Sequence, residues 1–113
     1  MTRHALPSRR TSWTQRLDGQ GVTMYVTAGE YHDGSLGEVW IDVAKSGSTM
    51  RATLHALAMM TSIALQHGVA LPVVIDALES EKAMPDLTGA VARHLRESYV
   101  GTRPSTQPKE SNG

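Results

Sequence analysis

Val22-Thr23-Met24-Tyr25-Val26-Thr27-Ala28-Gly29-Glu30-Tyr31-His32-Asp33-Gly34-Ser35-Leu36-Gly37-Glu38-Val39-Trp40-Ile41-Asp42-Val43-Ala44 decides the fold. In its first half Met24, Val26 and Ala28 alternate with Tyr25 and Thr27; in its second Val39, Ile41 and Val43 alternate with Glu38, Trp40 and Asp42. A period of two sends successive side chains to opposite faces of a strand, so each half has one aliphatic face and one polar face carrying aromatics. His32-Asp33-Gly34-Ser35 between them is a turn signal, and a link this short makes the pair antiparallel. Upstream, residues 12–18 repeat the alternation and are joined to Val22 through Asp18-Gly19-Gln20-Gly21. The expectation is a three-stranded antiparallel β-meander, with strands over 12–18, 22–31 and 36–44.

Downstream the period changes at Ser46-Gly47-Ser48, and Met50, Leu54, Leu57, Ala58, Thr61 and Leu65 recur at helical spacing. This predicts a helix of about 20 residues, with Ser48 as N-cap and Gly68 at the left-handed stop. Ala56, Met59, Met60, Ile63 and Ala64 widen the apolar surface past one stripe, so this helix is expected to be central and covered on more than one side. Residues 69–80 admit two readings. Val73, Val74 and Ile75 favour a strand, whereas Pro72 and the spacing of Leu71, Ile75 and Leu78 favour the helix adopted here. A third helix over 86–100 opens at Pro85-Asp86, aligns Leu87, Val91, Leu95 and Tyr99, pairs Arg93 with Glu97, and stops at Gly101. The fold class is therefore α+β: a three-stranded antiparallel β-meander followed by a long central helix and two shorter helices. Residues 1–10 read as a basic arm, 11–101 as a single domain and 102–113 as a disordered tail.

The 113 residues hold 11 Lys+Arg and 11 Asp+Glu, a formal net charge of zero, but the charge is segregated. Arg3, Arg9, Arg10 and Arg16 precede any acid, and Asp18, Glu30, Asp33, Glu38 and Asp42 follow with no base among them. Segments so opposed are expected to meet, within the chain or between two chains. With no cysteine, disulfide scaffolds, thiolate catalysis and cysteine zinc sites are excluded, and a reducing, cytoplasmic setting is expected. The apolar stretch from Ala56 to Leu65 is about half the roughly 20 residues that span a bilayer, so no membrane segment is expected. The N-terminus lacks the apolar run of a signal peptide.

Candidate chemistry is sparse. His4, His32, His55, His67 and His94 are scattered over different elements, and no metal or cofactor is expected. No serine occupies a nucleophile turn and no glycine run cradles phosphate. Glu30, Asp33, Glu38 and Asp42 lie near one hairpin and would serve acid–base or metal chemistry only by converging; solvated positions or pairing with the arm arginines is favoured. Arg9 and Arg10 with Tyr25, Trp13 or Trp40 would suit nucleic acid, were it not for the acids beside them and the neutral total.

Two runs together resemble a known pattern. Leu6-Pro7-Ser8-Arg9-Arg10 and then Tyr25 through Asp42, with Gly29-Glu30-Tyr31-His32-Asp33-Gly34-Ser35-Leu36-Gly37-Glu38 at its centre, are similar to the TSCPD domain. That domain is the C-terminal accessory region of adenosylcobalamin-dependent (class II) ribonucleotide reductases. Leu65-Gln66-His67-Gly68-Val69, Val74-Ile75-Asp76-Ala77-Leu78 and Leu95-Arg96-Glu97-Ser98-Tyr99-Val100-Gly101 continue the likeness in the same order, over about residues 6–101. The reductases' radical barrel, cobalamin site and trailing cysteine segment have no counterpart here. The resemblance therefore implies a free-standing accessory relative, not an enzyme, an interaction module docking on a reductase or another nucleotide-metabolism protein. The almost wholly apolar long helix, more than three strands and two helices are expected to cover, adds self-association, first of all as a homodimer. Its expected interaction residues are Arg9, Arg10, Tyr25, Glu30, Tyr31, Asp33, Glu38, Trp40 and Asp42, with Trp40 and Tyr25 as anchors on the non-core sheet face. A nucleic-acid-binding or regulatory module using the arginine arm and sheet aromatics is the alternative.

Overall fold

Strands β1 (Ser12–Gly19), β2 (Val22–Glu30) and β3 (Leu36–Ala44) form one antiparallel sheet in the order β1-β2-β3. The coordinates are a computed structural model that describes residues 2–100 except 20, 45, 46, 83 and 84. The tail expected over 102–113 and the Gly101 helix stop lie outside the described residues. Arg16, Tyr25 and Asp42 share one row across the sheet, as do Gln15, Val26 and Ile41. Directly opposed residues point to the same face, so the expected two-faced pattern is realised: Met24, Val26, Ala28, Val39, Ile41 and Val43 are all buried. A bulge at Gly29/Glu30 shifts the β2–β3 register at the hairpin end.

Helices α1 (Ser48–Gln66), α2 (Leu71–Glu79) and α3 (Pro85–Leu95) follow. Residues 69–80 thus resolve in favour of the helix, with Pro72 in the first turn of α2, where its missing N–H costs nothing. The expected Ser48 cap is corrected. Gly47 holds the N-cap position, with φ −67° and ψ 163°, no side chain caps the turn, and Ser48 is the first helical residue. At the other end Gly68 has φ +94°, and the N–H groups of Gly68 and Val69 donate to the carbonyls of Leu65 and Ala64 at 3.1 and 3.0 Å. That is a Schellman ending, which a glycine enters without steric cost.

The third helix also departs from expectation. It is α-helical to Leu95 and then widens into a π-helical turn, Arg96–Val100. Two ties accompany the change: Arg96 Nη2 donates to Glu79 Oε2 at 2.8 Å, and the Tyr99 hydroxyl donates to Glu30 Oε2 at 2.6 Å. The basic partner in this turn is therefore Arg96, reaching α2, and not Arg93 pairing with Glu97.

The aliphatic sheet face, with Leu54 and Ala58 of α1, Ile75 of α2 and Leu87, Val91 and Leu95 of α3, makes the core. Helix α1 runs alongside β3. The Ser62 hydroxyl accepts from Val39 N at 2.8 Å and lies 3.0 Å from Val39 O, while Gln66 Nε2 donates to Gly37 O at 2.9 Å. These side chains substitute for a neighbouring strand and seal the β3 edge against further pairing. The far flank of α1 stays open: Met59 is 51% and Met60 63% exposed, so the expected cover on a second side is not supplied within the described residues. An apolar groove of about 350 Å³ between α1 and α2, lined by Leu57, Met60, Ala64, Val69, Val73 and Leu78 among others, lies on that flank. Ser62→Ala leaves the buried N–H of Val39 without its acceptor and is expected to cost about 1–3 kcal/mol, read as a lower urea midpoint at unchanged slope. An unchanged midpoint would show that the seam contributes nothing.

Candidate interaction surface

The β2–β3 hairpin carries most of the expected site residues, and the structure gives each a separate partner. Gly29 has no side chain because Glu38 lies over it; a Cβ there would sit 2.5 Å from Glu38 Oε2. Glu38 accepts from Arg10 Nε at 2.8 Å, and Arg10 Nη1 donates to the Pro7 carbonyl at 2.7 Å. Tyr31 lies against Gly37, sets its ring, tilted by 38°, 4.7 Å from that of His4, and donates its hydroxyl to the His4 carbonyl. Asp33 Oδ1 accepts from the N–H and hydroxyl of Ser35 at 2.9 and 2.6 Å, a side-chain turn that holds its carboxyl below the usual range. Gly34 beside it has φ +88°. Glu30 points elsewhere, to Tyr99; burial and this neighbouring carboxylate push the Tyr99 phenol far above its ordinary value.

The arm is laced at its start as well. Arg3 Nε donates to Gln66 Oε1 at 2.5 Å and His4 N to the Gln66 carbonyl at 2.6 Å, while the Gln66 amide holds Gly37. Residues 3–10 thereby join the end of α1 to the hairpin. The basic block does meet the acidic one, through Arg10–Glu38 and, at 3.5 Å, Arg16–Asp18. Both are surface pairs of the kind worth about 0–1 kcal/mol each, so they set the arm's place more than the fold's stability. Arg9 has no partner among the described residues.

The remaining candidates converge on the outer face of the sheet. Trp40, 51% exposed, stacks on His55 of α1 with ring centroids 6.0 Å apart. In the next row Tyr25 stands between Arg16 and Asp42. Asp42 accepts from Val43 N at 2.9 Å, with Arg51 Nη1 3.7 Å away; this bond and that cation hold its carboxyl below the usual range. His55 Nε2 lies 3.6 Å from Asp42, too distant for a hydrogen bond, and the two form an ion pair only when the imidazole is protonated. Thr14 and Thr27 bond through their hydroxyls at 2.8 Å beside Trp40. No described element packs over this face, and its two aromatics are framed by charges of both signs, a composition suited to a protein partner.

Tyr25, Trp40 and Asp42 are therefore brought together; Arg10 and Glu38 lie at the edge of the same face; Glu30, Tyr31 and Asp33 are not part of it. The four carboxylates do not converge, and among the described residues no cluster of three His, Asp or Glu could hold a metal. Sequence reasoning missed Arg51 and His55 as members of the face, and Gln66, Ser62 and Tyr99 as ties. Ser62 and Gln66 were detectable as polar residues four apart on the helical stripe that faces β3; Arg51 and His55 gave no signal, because their role depends on where α1 crosses.

Known proteins carry a similar sequence over this framework. A 37% identical segment occurs in the vitamin B12-dependent ribonucleotide reductase of Agrobacterium fabrum, covering 88% of this chain and 9% of that protein. In the Bradyrhizobium diazoefficiens enzyme of the same name the identity is 37%, over 74% of this chain and 7% of that protein; in that of Rhodopirellula baltica it is 35%, over 74% and 8%. The chain thus matches less than a tenth of each of these reductases. No solved structure matches it. No helix among the described residues is long and apolar enough to cross a membrane. The hairpin whose glycines, tyrosine and acids lace the arm in place is the part of the sequence that pointed to one family at the outset, and the description of that family matches residues 2–104: the chain belongs to the TSCPD domain family.

Proposed function

We propose that this chain is a non-catalytic, self-associating accessory module that docks on the body of a ribonucleotide reductase, the wider class of partner being proteins of nucleotide metabolism. The observation that carries the reading is the outer sheet face, where Trp40 and Tyr25 stand uncovered on a rigid antiparallel sheet between Arg16, Arg51 and Asp42. Exposed aromatics set among charges are the usual anchors of protein interfaces. The named relatives support a reductase as that partner, since in each of them the matching segment is a small part of a reductase chain. The hairpin acids support a non-catalytic role: each holds the fold together through its own partner. The nucleic-acid alternative loses most of its phosphate contacts, because Arg3, Arg10 and Arg16 are already engaged by Gln66, Glu38 and Asp18.

The test uses a vitamin B12-dependent reductase from which the matching segment has been deleted. Trp40→Ala is expected to weaken binding to it by about 30-fold, as truncation of an anchoring tryptophan does, with little loss of thermal stability because the ring is half exposed. Unchanged binding with a lowered melting temperature would refute the assignment.

A further inference from the structure

The sheet has two edges and the chain treats them differently. The β3 edge is sealed by Ser62 and Gln66. The β1 edge carries no such cover. Glu30 N donates to the Thr11 carbonyl at 2.9 Å, and the β1–β2 register runs unbroken from Ser12↔Gly29 to Gly19↔Val22. Alternation along an antiparallel pair then gives Thr11, Trp13, Gln15 and Leu17 the bonds to β2 and turns the N–H and C=O groups of Ser12, Thr14, Arg16 and Asp18 outward. Among the described residues no backbone group reaches these outward positions, and their only described side-chain contact is Gln15 Nε2 on the Arg16 carbonyl at 3.2 Å. A long, regular, open edge is a template for another strand, and natural proteins rarely leave one unprotected.

We propose that β1 is the self-association edge, pairing antiparallel with β1 of a second copy across a two-fold axis at Gln15 to build one continuous six-stranded sheet. This rests on the self-associating reading above and names its interface. The strand is self-complementary in that register. Trp13, which is 64% exposed, comes opposite Leu17 of the partner subunit on the inner face, and the reciprocal pair forms on the other side of the axis. Arg16 falls opposite a threonine and Asp18 opposite a serine, so no like charges are directly opposed. The neighbouring register, centred on Arg16, would oppose two arginines and leave Trp13 facing a glycine. In the favoured register the outward groups of four residues per chain form roughly eight inter-chain backbone hydrogen bonds. Beside the strand a groove of about 410 Å³, lined by Gln15, Leu17, Arg93 and Glu97 among others, carries both charge signs, as a surface that meets its own copy requires.

Three β1 variants, with Met60→Asp on α1 as a comparison, and light scattering after size exclusion test this, with circular dichroism as the check on folding. The wild-type chain, 12.2 kDa, is expected to elute as a dimer. Gln15→Lys and Gln15→Glu each place like charges face to face at the axis and are expected to weaken the dimer by about 5-fold; an equimolar mixture of the two is expected to restore it as a heterodimer. Arg16→Pro removes an outward N–H that β2 does not use, so the monomer keeps its sheet while dimerisation falls by more than about 10-fold. A dimer indifferent to all three variants would overturn the β1 interface and leave self-association standing. Its loss in Met60→Asp alone would move the second copy to the α1–α2 groove. A strict monomer for the wild-type chain at high concentration would overturn both the interface and the self-associating reading.

Discussion

Leu95→Ala is expected to remove about 2–5 kcal/mol of stability, a loss of more than about 8 °C in melting temperature for a domain of this size. Leu95 is 0% exposed and stands at the last α-helical position before the chain widens into the π turn. Its side chain belongs to the core shared by the sheet, α2 and α3, so deletion of three heavy atoms leaves a cavity whose walls are held by strands on one side and helices on the other. Such walls collapse poorly, which puts the cost above the transfer free energy alone. The loss should spread to the neighbouring turn, because Arg96 and Tyr99 are aimed at Glu79 and Glu30 from the same helical end. Leu95→Met, which keeps the volume, should cost less than about 1.5 kcal/mol. Equal costs for the two variants, or a loss under about 1 kcal/mol for the alanine, would show that α3 is not packed against the sheet as described.

Gly37→Ala acts on the arm. A Cβ at this position would lie 2.6 Å from Tyr31 Cε2, 2.9 Å from its Cζ and 3.0 Å from Leu6 Cδ2. A ring cannot yield as the end of a flexible chain does, so Tyr31 must move, and with it go the bond to the His4 carbonyl and the contact with the His4 ring. Overpacking of this kind costs about 1–3 kcal/mol. The distinguishing readout is local: trypsin should cut after Arg9 and Arg10 several-fold faster, because cleavage follows the open population of a segment. Gly29→Ala should do less, since the atoms it meets, Glu38 Oε2 at 2.5 Å and Cγ at 2.8 Å, belong to a flexible side chain rather than a ring. If both variants leave cleavage unchanged, the lacing of the arm is wrong.

How much of this was legible in the sequence depends on whether the determining interaction is local. The strand faces followed from the alternation of Met24, Val26 and Ala28 against Tyr25 and Thr27, and burial agrees residue by residue. Gly68 announced its helix end because a positive φ is a property of the residue itself. Ser48 misled because Ser is a good N-cap by preference, whereas Gly47 takes that position here without any side-chain bond. The π turn was invisible, since it is accompanied by Arg96 and Tyr99 reaching partners 17 and 69 residues away. The same holds for the site. Trp40, Tyr25 and Asp42 shared a face by periodicity alone, and the same periodicity puts Glu30 with Met24, Val26 and Ala28 on the other face, where it meets Tyr99. Arg51 and His55 joined the outer face only because α1 runs beside β3. The charge segregation gave the right pairing of Arg10 with Glu38 in kind, though no reading of the sequence specified which arginine would find which acid.

The central claim is that this chain docks, through the Trp40 face, on the part of a reductase that its relatives' matching segment serves. Interferometry of the wild-type chain against two forms of the Agrobacterium fabrum reductase tests it most directly, one intact and one lacking the matching segment. Saturable binding to the truncated form with a dissociation constant of about 10 µM or tighter is expected, and much weaker binding to the intact form, whose own segment would occupy the place. No binding to the truncated form, or equal binding to both, would contradict it.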